Sequence, residues 1–129
     1  MLNSEVIYIA DIQKTYAVVI GVVLVLVGIL GFVPNPLVGS ADKAIFGVNT
    51  AQNLLHIVGG AVIVWFGSKG SAKTTNVVVG VISGVVGILG FVPGADALLA
   101  SIFGINTAIS VLHILIGVVS LGVAYGIKE

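Results

Sequence analysis

The chain has no cysteine and no arginine, and only three prolines and one tryptophan. Without cysteine there is no disulfide, no thiolate nucleophile, no iron–sulfur cluster and no cysteine-rich zinc site, and the redox compartment leaves no mark. Charge is scarce too: five lysines stand against five acids, for a formal net charge of zero over 129 residues. Nucleic acid, which needs clustered basic side chains to neutralise its phosphates, is excluded as a partner. Soluble domains carry about a quarter charged residues. Here 8% are charged and 58% are hydrophobic, and the mean hydropathy is +1.25. So short a chain cannot hide that much apolar surface in one core. Its main solvent is lipid.

What is abundant is repetition. Gly28-Ile-Leu-Gly-Phe-Val-Pro34 recurs letter for letter as Gly87-Ile-Leu-Gly-Phe-Val-Pro93. Each copy precedes a short mixed loop, then Phe46-Gly-Val-Asn-Thr-Ala51 or Phe103-Gly-Ile-Asn-Thr-Ala108, then a histidine, His56 or His113. Pro93 follows Pro34 by 59 positions and His113 follows His56 by 57, so the second loop is two residues shorter while the spans keep step. The pattern predicts an all-α integral membrane protein, a four-helix bundle made from a parallel tandem two-helix repeat. Residues 1–14 form an interfacial segment, 15–67 the first repeat, 68–76 a cytoplasmic linker, 77–126 the second repeat, and 127–129 a tail.

The first span, Thr15–Val33, is about 19 residues long, close to the roughly 30 Å of a hydrocarbon core at about 1.5 Å per residue. Its valines favour strands in water, but an isolated strand in lipid leaves its amides unpaired and a helix does not. Val38-Gly-Ser-Ala41 has the look of a signal-peptidase site, yet the run is long for a signal peptide and is matched by the third span, so no cleavage is expected. Ahead of it, Leu2, Val6, Ile9, Gln13 and Tyr16 follow helical spacing and predict a short amphipathic helix on the membrane surface.

Pro34 and Pro36 end the first span, and Ser40 is expected to cap a short helix over Ala41–Phe46 that Gly47 closes in a left-handed conformation. Asn49 or Thr50 caps the second span, which runs to about Gly67, and Gln52 is placed to complete a capping box. Trp65 and Phe66 mark its headgroup end. The third span is Val77–Val92; Gly94–Phe103 is again a capped, half-apolar loop; the fourth span is Thr107–Gly126. Lys14, Lys69, Lys73 and Lys128 share one side and only Lys43 the other, which places both termini in the cytoplasm and the protein in the plasma membrane.

Helices in lipid associate through close backbone contact and interhelical hydrogen bonds. Gly21, Gly28 and Gly31 mark the first span, Gly59 and Gly60 the second. Gly80, Gly84 and Gly87 mark the third, and Gly117, Gly122 and Gly126 the fourth. They read as seams of a tight bundle, with at least one ridge turned to another subunit. Polar groups also recur: Asn49, Asn53 and His56 on one face, Asn106, Ser110 and His113 on its counterpart. Each histidine lies about two turns, roughly 10 Å, inside its asparagine cap.

Three readings of that polar face stay open. The imidazoles pin loops to the bundle, or they act as paired axial ligands of a haem, or the face lines a path for a proton or small solute. Lys43 alone is available for haem propionates, and no carboxylate lies within a span to act as a relay. Ser83 with His113 is a poor imitation of a Ser–His dyad, since Gly80-Val-Ile-Ser83-Gly84 breaks the nucleophile motif. No catalysis, resident cofactor or metal site is expected.

The repeated Gly-Phe-Val-Pro, Phe-Gly-(Val/Ile)-Asn and span-borne histidine resemble the small four-span membrane proteins of the domain-of-unknown-function family 4383. The resemblance covers nearly the whole chain after residue 14 and implies the fold; it implies no activity. In that family the second span often begins His-Asn-x-x-His. Here Gln52 replaces the first of those histidines, and Ile109 and Ser110 take the His and Asn places in the second repeat. The functional expectation is a small membrane scaffold or accessory protein, without catalysis, that self-associates or packs against a larger membrane complex. Alternatives are a small-solute or proton conduit, and a bis-histidine haem redox subunit.

Overall fold

The computed structural model describes residues 3–127, apart from the side chains of residues 5–11. Leu2, Lys128 and Glu129, and the side chains of Val6 and Ile9 invoked for a surface helix, lie outside the described residues. Five helices and one small strand pair make up the described chain: α1 Ser4–Leu30, β1 Val38–Gly39, β2 Phe46–Gly47, α2 Thr50–Gly67, α3 Ala72–Leu89, α4 Ala95–Phe103 and α5 Thr107–Gly126. Four stretches are long and apolar enough to cross a membrane: Ile12–Leu30, Thr50–Gly67, Ala72–Leu89 and Thr107–Gly126. The protein is a multi-pass, all-α membrane protein.

α1 packs along α2, and α3 along α5; the two hairpins meet chiefly through α1 against α3, with α2 against α3 beside it. α1 runs from Ser4 into the span without a break. Gln13, expected on a surface helix, is buried instead and faces α3 and α5. The third span begins earlier than residue 77, because α3 starts at Ala72 and swallows most of the hydrophilic stretch; Gly70, at φ +91°, makes the turn. Both spans that lead into Gly-Phe-Val-Pro stop short of it. α1 ends at Leu30 and α3 at Leu89, and tighter bonds follow, from Val33 N to Leu30 O and from Val92 N to Leu89 O. A residue before proline is pushed out of the helical region, so the ladder unwinds ahead of Pro34 and Pro93.

The two outer loops fold differently. The helix expected over Ala41–Phe46 is absent: only one turn forms, with Lys43 N and Ala44 N both donating to Ser40 O at 2.9 Å. Val38 and Gly39 instead pair in parallel with Phe46 and Gly47. Gly47 is not left-handed; its counterpart Gly104 is, at φ +68°, where it ends α4. Ala95-Asp-Ala-Leu-Leu-Ala100 is rich in strong helix formers, whereas in the first loop the pairing of Val38–Gly39 with Phe46–Gly47 claims the end of the expected helix and leaves room for one turn. Asn35, held between two prolines, organises the first loop: its amide donates to the carbonyls of Leu30, Val33 and Val38, and its oxygen accepts from Leu37 N and Val38 N.

Candidate functional site

At the loop end, two asparagines each do a double task. Asn49 caps α2 by accepting from Gln52 N at 3.1 Å, and its amide donates across the molecule to Ile102 O at 2.8 Å. Asn106 caps α5 by accepting from Ile109 N at 3.1 Å; the same oxygen accepts from Gly47 N at 3.0 Å, and its amide donates to Ile45 O at 3.0 Å. An N-cap satisfies an orphan donor of its own helix. Here the remaining valences tie each half of the chain to the loop of the other.

One turn deeper lie Asn53 and Ser110, both buried. A Cβ on Gly31 would overlap the Asn53 amide, and one on Gly90 would overlap the Ser110 hydroxyl. The glycine of each Gly-Phe-Val-Pro copy therefore makes room for a buried polar side chain on the partner helix. Asn53 Oδ1 and Ser110 Oγ have no hydrogen-bond partner.

One turn deeper again, His56 and His113 meet edge to face, with ring centroids 6.2 Å apart and planes at 69°. Gln52 Nε2 lies 3.0 Å from His56 Nε2. The capping box expected of Gln52 is not formed; its buried side chain turns inward to the His56 ring, where a polar group at membrane depth needs a partner. Nδ1 of both rings is buried and unpartnered. Among the described residues no group of three or more His, Cys, Asp or Glu side chains comes together. The set thus offers two imidazoles and neutral amide and hydroxyl groups, with no carboxylate among them.

The glycines divide cleanly. Along α1–α2, a Cβ on Gly28 would lie 2.6 Å from Asn53 O, and one on Gly60 would lie 2.5 Å from Gly21 O. Along α3–α5, a Cβ on Gly80 would strike Leu121, one on Gly87 would lie 2.7 Å from Ile114 N, and one on Gly117 would lie 2.8 Å from the Gly84 Cα. The Cβ directions of Gly59, Gly84, Gly122 and Gly126 meet nothing within 4 Å. Gly28, Gly31, Gly80 and Gly87 hence serve seams within the molecule; Gly122 and Gly126 point outward, and Gly84 does both, its backbone against Gly117 and its Cβ direction open.

A second buried polar cluster, at the linker end, escaped the sequence reading. Asn76 Nδ2 donates to Gln13 O at 3.0 Å and to Gln13 Oε1 at 2.9 Å, and Gln13 Nε2 donates to Val123 O at 2.8 Å. Tyr16 hydrogen-bonds Ser120, and Asn76 and Ser120 are both 0% exposed. One signal was present: Asn76 stands 59 positions after Ala17, where the repeat calls for a small core residue, and Ala17 is itself fully buried. Replacing Asn76 with leucine strips Gln13 O and Oε1 of their donor and is expected to cost about 1–2 kcal/mol, read as a lowered unfolding midpoint in mixed micelles.

The chain belongs to the family described as Domain of unknown function (DUF4383), which matches residues 14–126. No curated protein and no solved structure matches it.

Proposed function

We propose that the protein is a small membrane scaffold or accessory subunit, built by tandem duplication of a two-helix unit, that self-associates or packs against a larger membrane complex and carries out no catalysis. The observation that carries this reading is the outward set of glycines. A Cβ added at Gly59, Gly84, Gly122 or Gly126 would meet nothing within 4 Å inside the molecule, although the Gly84 backbone itself lies against Gly117. A glycine facing only lipid gains nothing over a larger apolar residue and weakens its helix, whereas one facing a second backbone permits close packing. Only 22–33% of each span window is buried, so most of the spanning surface is available to lipid or to a partner. The inward polar groups fit the same role: clasps at both ends hold the bundle in one shape, as a docking platform requires. The lysine bias, with Lys14, Lys69 and Lys73 near the linker side and Lys43 opposite, supports cytoplasmic termini in a plasma membrane.

The test is crosslinking in native membranes. A Cβ on Gly84 would meet nothing within 4 Å in the molecule itself, so Gly84→Leu is expected to leave the fold intact while lowering the crosslinked fraction about tenfold, the equivalent of roughly 1.4 kcal/mol of association. His56→Gln is expected to stay both folded and assembled. Equal crosslinking of wild type and Gly84→Leu would remove α3 from any interface.

A further inference from the structure

Between Lys43 and Asp96 the sequence has two lysines, Lys69 and Lys73, and no acid. Both flank the turn at Gly70 that joins α2 to α3. The acidic side chains among the described residues, Asp42 and Asp96, stand at the opposite, loop end. The last carbonyls of α2 would ordinarily draw a lysine, but here they are taken: Ser68 Oγ donates to Trp65 O at 2.9 Å, and Ser71 Oγ to Phe66 O at 2.7 Å. The two ammonium groups stand on aromatic rings instead. Lys69 Nζ lies 4.5 Å from the centroid of Trp65, and Lys73 Nζ 5.8 Å from that of Tyr125. Below Lys69 the outer face of α2 is an apolar strip. Val58, Val62 and Trp65 lead to it at intervals of four, three and four residues, and they are 60%, 47% and 61% exposed. At helical rise the strip from Val58 to Lys69 is about 16 Å long, close to half of a hydrocarbon core of about 30 Å. That is the outline of one lipid molecule: an apolar run one leaflet deep, topped by a cation. We propose that Lys69, steadied by Trp65 and with Lys73 beside the same turn, binds the headgroup of an anionic phospholipid in the linker-side leaflet, whose acyl chain lies along Val58, Val62 and Trp65.

Charge selects the lipid. Lys69 meets no carboxylate among the described residues, so its counter-charge comes from the bilayer. A zwitterionic headgroup carries a cation of its own beside the phosphate, and Lys69 gains little from it. A headgroup of net negative charge leaves the pair neutral. Each lysine near an anionic surface is worth about a fivefold preference. Position selects Lys69 among the lysines. Lys14 and Lys43 each have an acid within three residues before them, Asp11 and Asp42, and the Lys43 charge acts on the Asp42 carboxylate. The ring contributes by holding the cation in place. An ammonium over an indole is attracted by the ring quadrupole, so the long side chain has less rotamer freedom to lose when a phosphate arrives. Trp65 and Tyr125 also fix the depth, since their rings favour the headgroup level.

Trp65 is the one tryptophan in the sequence, so its fluorescence reports on the site directly. The full chain is reconstituted in mixed bilayers of phosphatidylcholine and phosphatidylglycerol in which one lipid or the other carries brominated acyl chains. Quenching of Trp65 then gives the relative binding constant of the two, and the ratio within one variant cancels any change in the brightness of the ring. The wild type is expected to prefer phosphatidylglycerol about fivefold or more at low salt, and the preference should fall toward one in about 0.5 M salt. Lys69→Gln is expected to lower it to about twofold or less, and Lys69→Gln with Lys73→Gln to abolish it. Lys43→Gln, at the other end, should leave it unchanged. No quenching by either lipid in the wild type, equal quenching by both, or an unchanged preference in the double variant overturns the site. Should a variant misfold, the wild type decides alone: a preference that high salt does not reduce is not electrostatic and rejects it. The site stands apart from the scaffold reading, since crosslinking can fail with the lipid preference intact, and the preference can fail with assembly intact.

Discussion

Replacing Gly28 with leucine is expected to prevent the first hairpin from closing. The atoms that would meet its Cβ are Asn53 O and Ile57 Cγ1, both at 2.6 Å, and Ile57 N at 3.0 Å. Two of these three are backbone and cannot swing aside. α1 and α2 would have to separate along the seam, which forfeits dispersion contacts that nothing else in lipid replaces. Overpacking by a single group typically costs about 1–3 kcal/mol; a whole leucine against backbone is expected to exceed about 3 kcal/mol, beyond the usual range for one substitution. Gly87→Leu should behave alike, because Ile114 N and Ser110 O lie 2.7 and 2.8 Å from its added Cβ. Gly59→Leu is the control: its Cβ meets nothing, and the expected change is within about 0.5 kcal/mol. Unfolding midpoints in mixed micelles check all three. A Gly28→Leu protein as stable as wild type would mean that backbone contact is not what joins α1 to α2.

Asn106→Leu carries the second large effect. One side chain holds the first turn of α5 through Ile109 N and the opposite loop through Gly47 N and Ile45 O. Loss of a cap costs about 1 kcal/mol, and each further hydrogen bond contributes about 1 kcal/mol. The sum is about 2–3 kcal/mol, and the damage should not stay local. The Gly47 amide, more than fifty residues away in sequence, is expected to lose its protection from hydrogen exchange together with that of Ile109. Asn106→Asp keeps the acceptor and loses the donor to Ile45 O, so it should fall between the two. If the Gly47 amide exchanged at the wild-type rate in Asn106→Leu, the loops would be held by something other than the asparagine.

How much of this was legible beforehand depended on the medium. In water, an amphipathic stripe reveals which face of a helix is buried. In lipid, the outside is as apolar as the inside, so the stripe is faint and the buried side must be read from rarer residues. Asparagines and glycines supplied that reading where they were repeated. Asn49 and Asn106 could be recognised as caps, and Gly28, Gly31, Gly80 and Gly87 as seam residues. Gly90 was passed over, although Gly31 stands 59 positions before it. Gln13 was read as a surface-helix residue, and Asn76 and Ser120 were missed, because the matching positions of the other repeat, Ala72, Ala17 and Ile63, are apolar. Gln52 was recognised, but for the wrong partner.

Composition and the doubled segment determined by themselves that this chain lives in lipid as four helical spans, since 8% charge leaves most of the chain apolar, and apolar runs of about 19 residues match a spanning helix and are about twice the length of a barrel strand. Tertiary structure alone decided which neighbour covers each face. It brought His56 against His113, drew Gln13 to Asn76, turned some glycines into seams and others outward, and gave one loop a strand pair and the other a helix. Helical periodicity states which residues share a side, whereas contact between sides depends on how closely two backbones approach, and that distance exists only once both are folded.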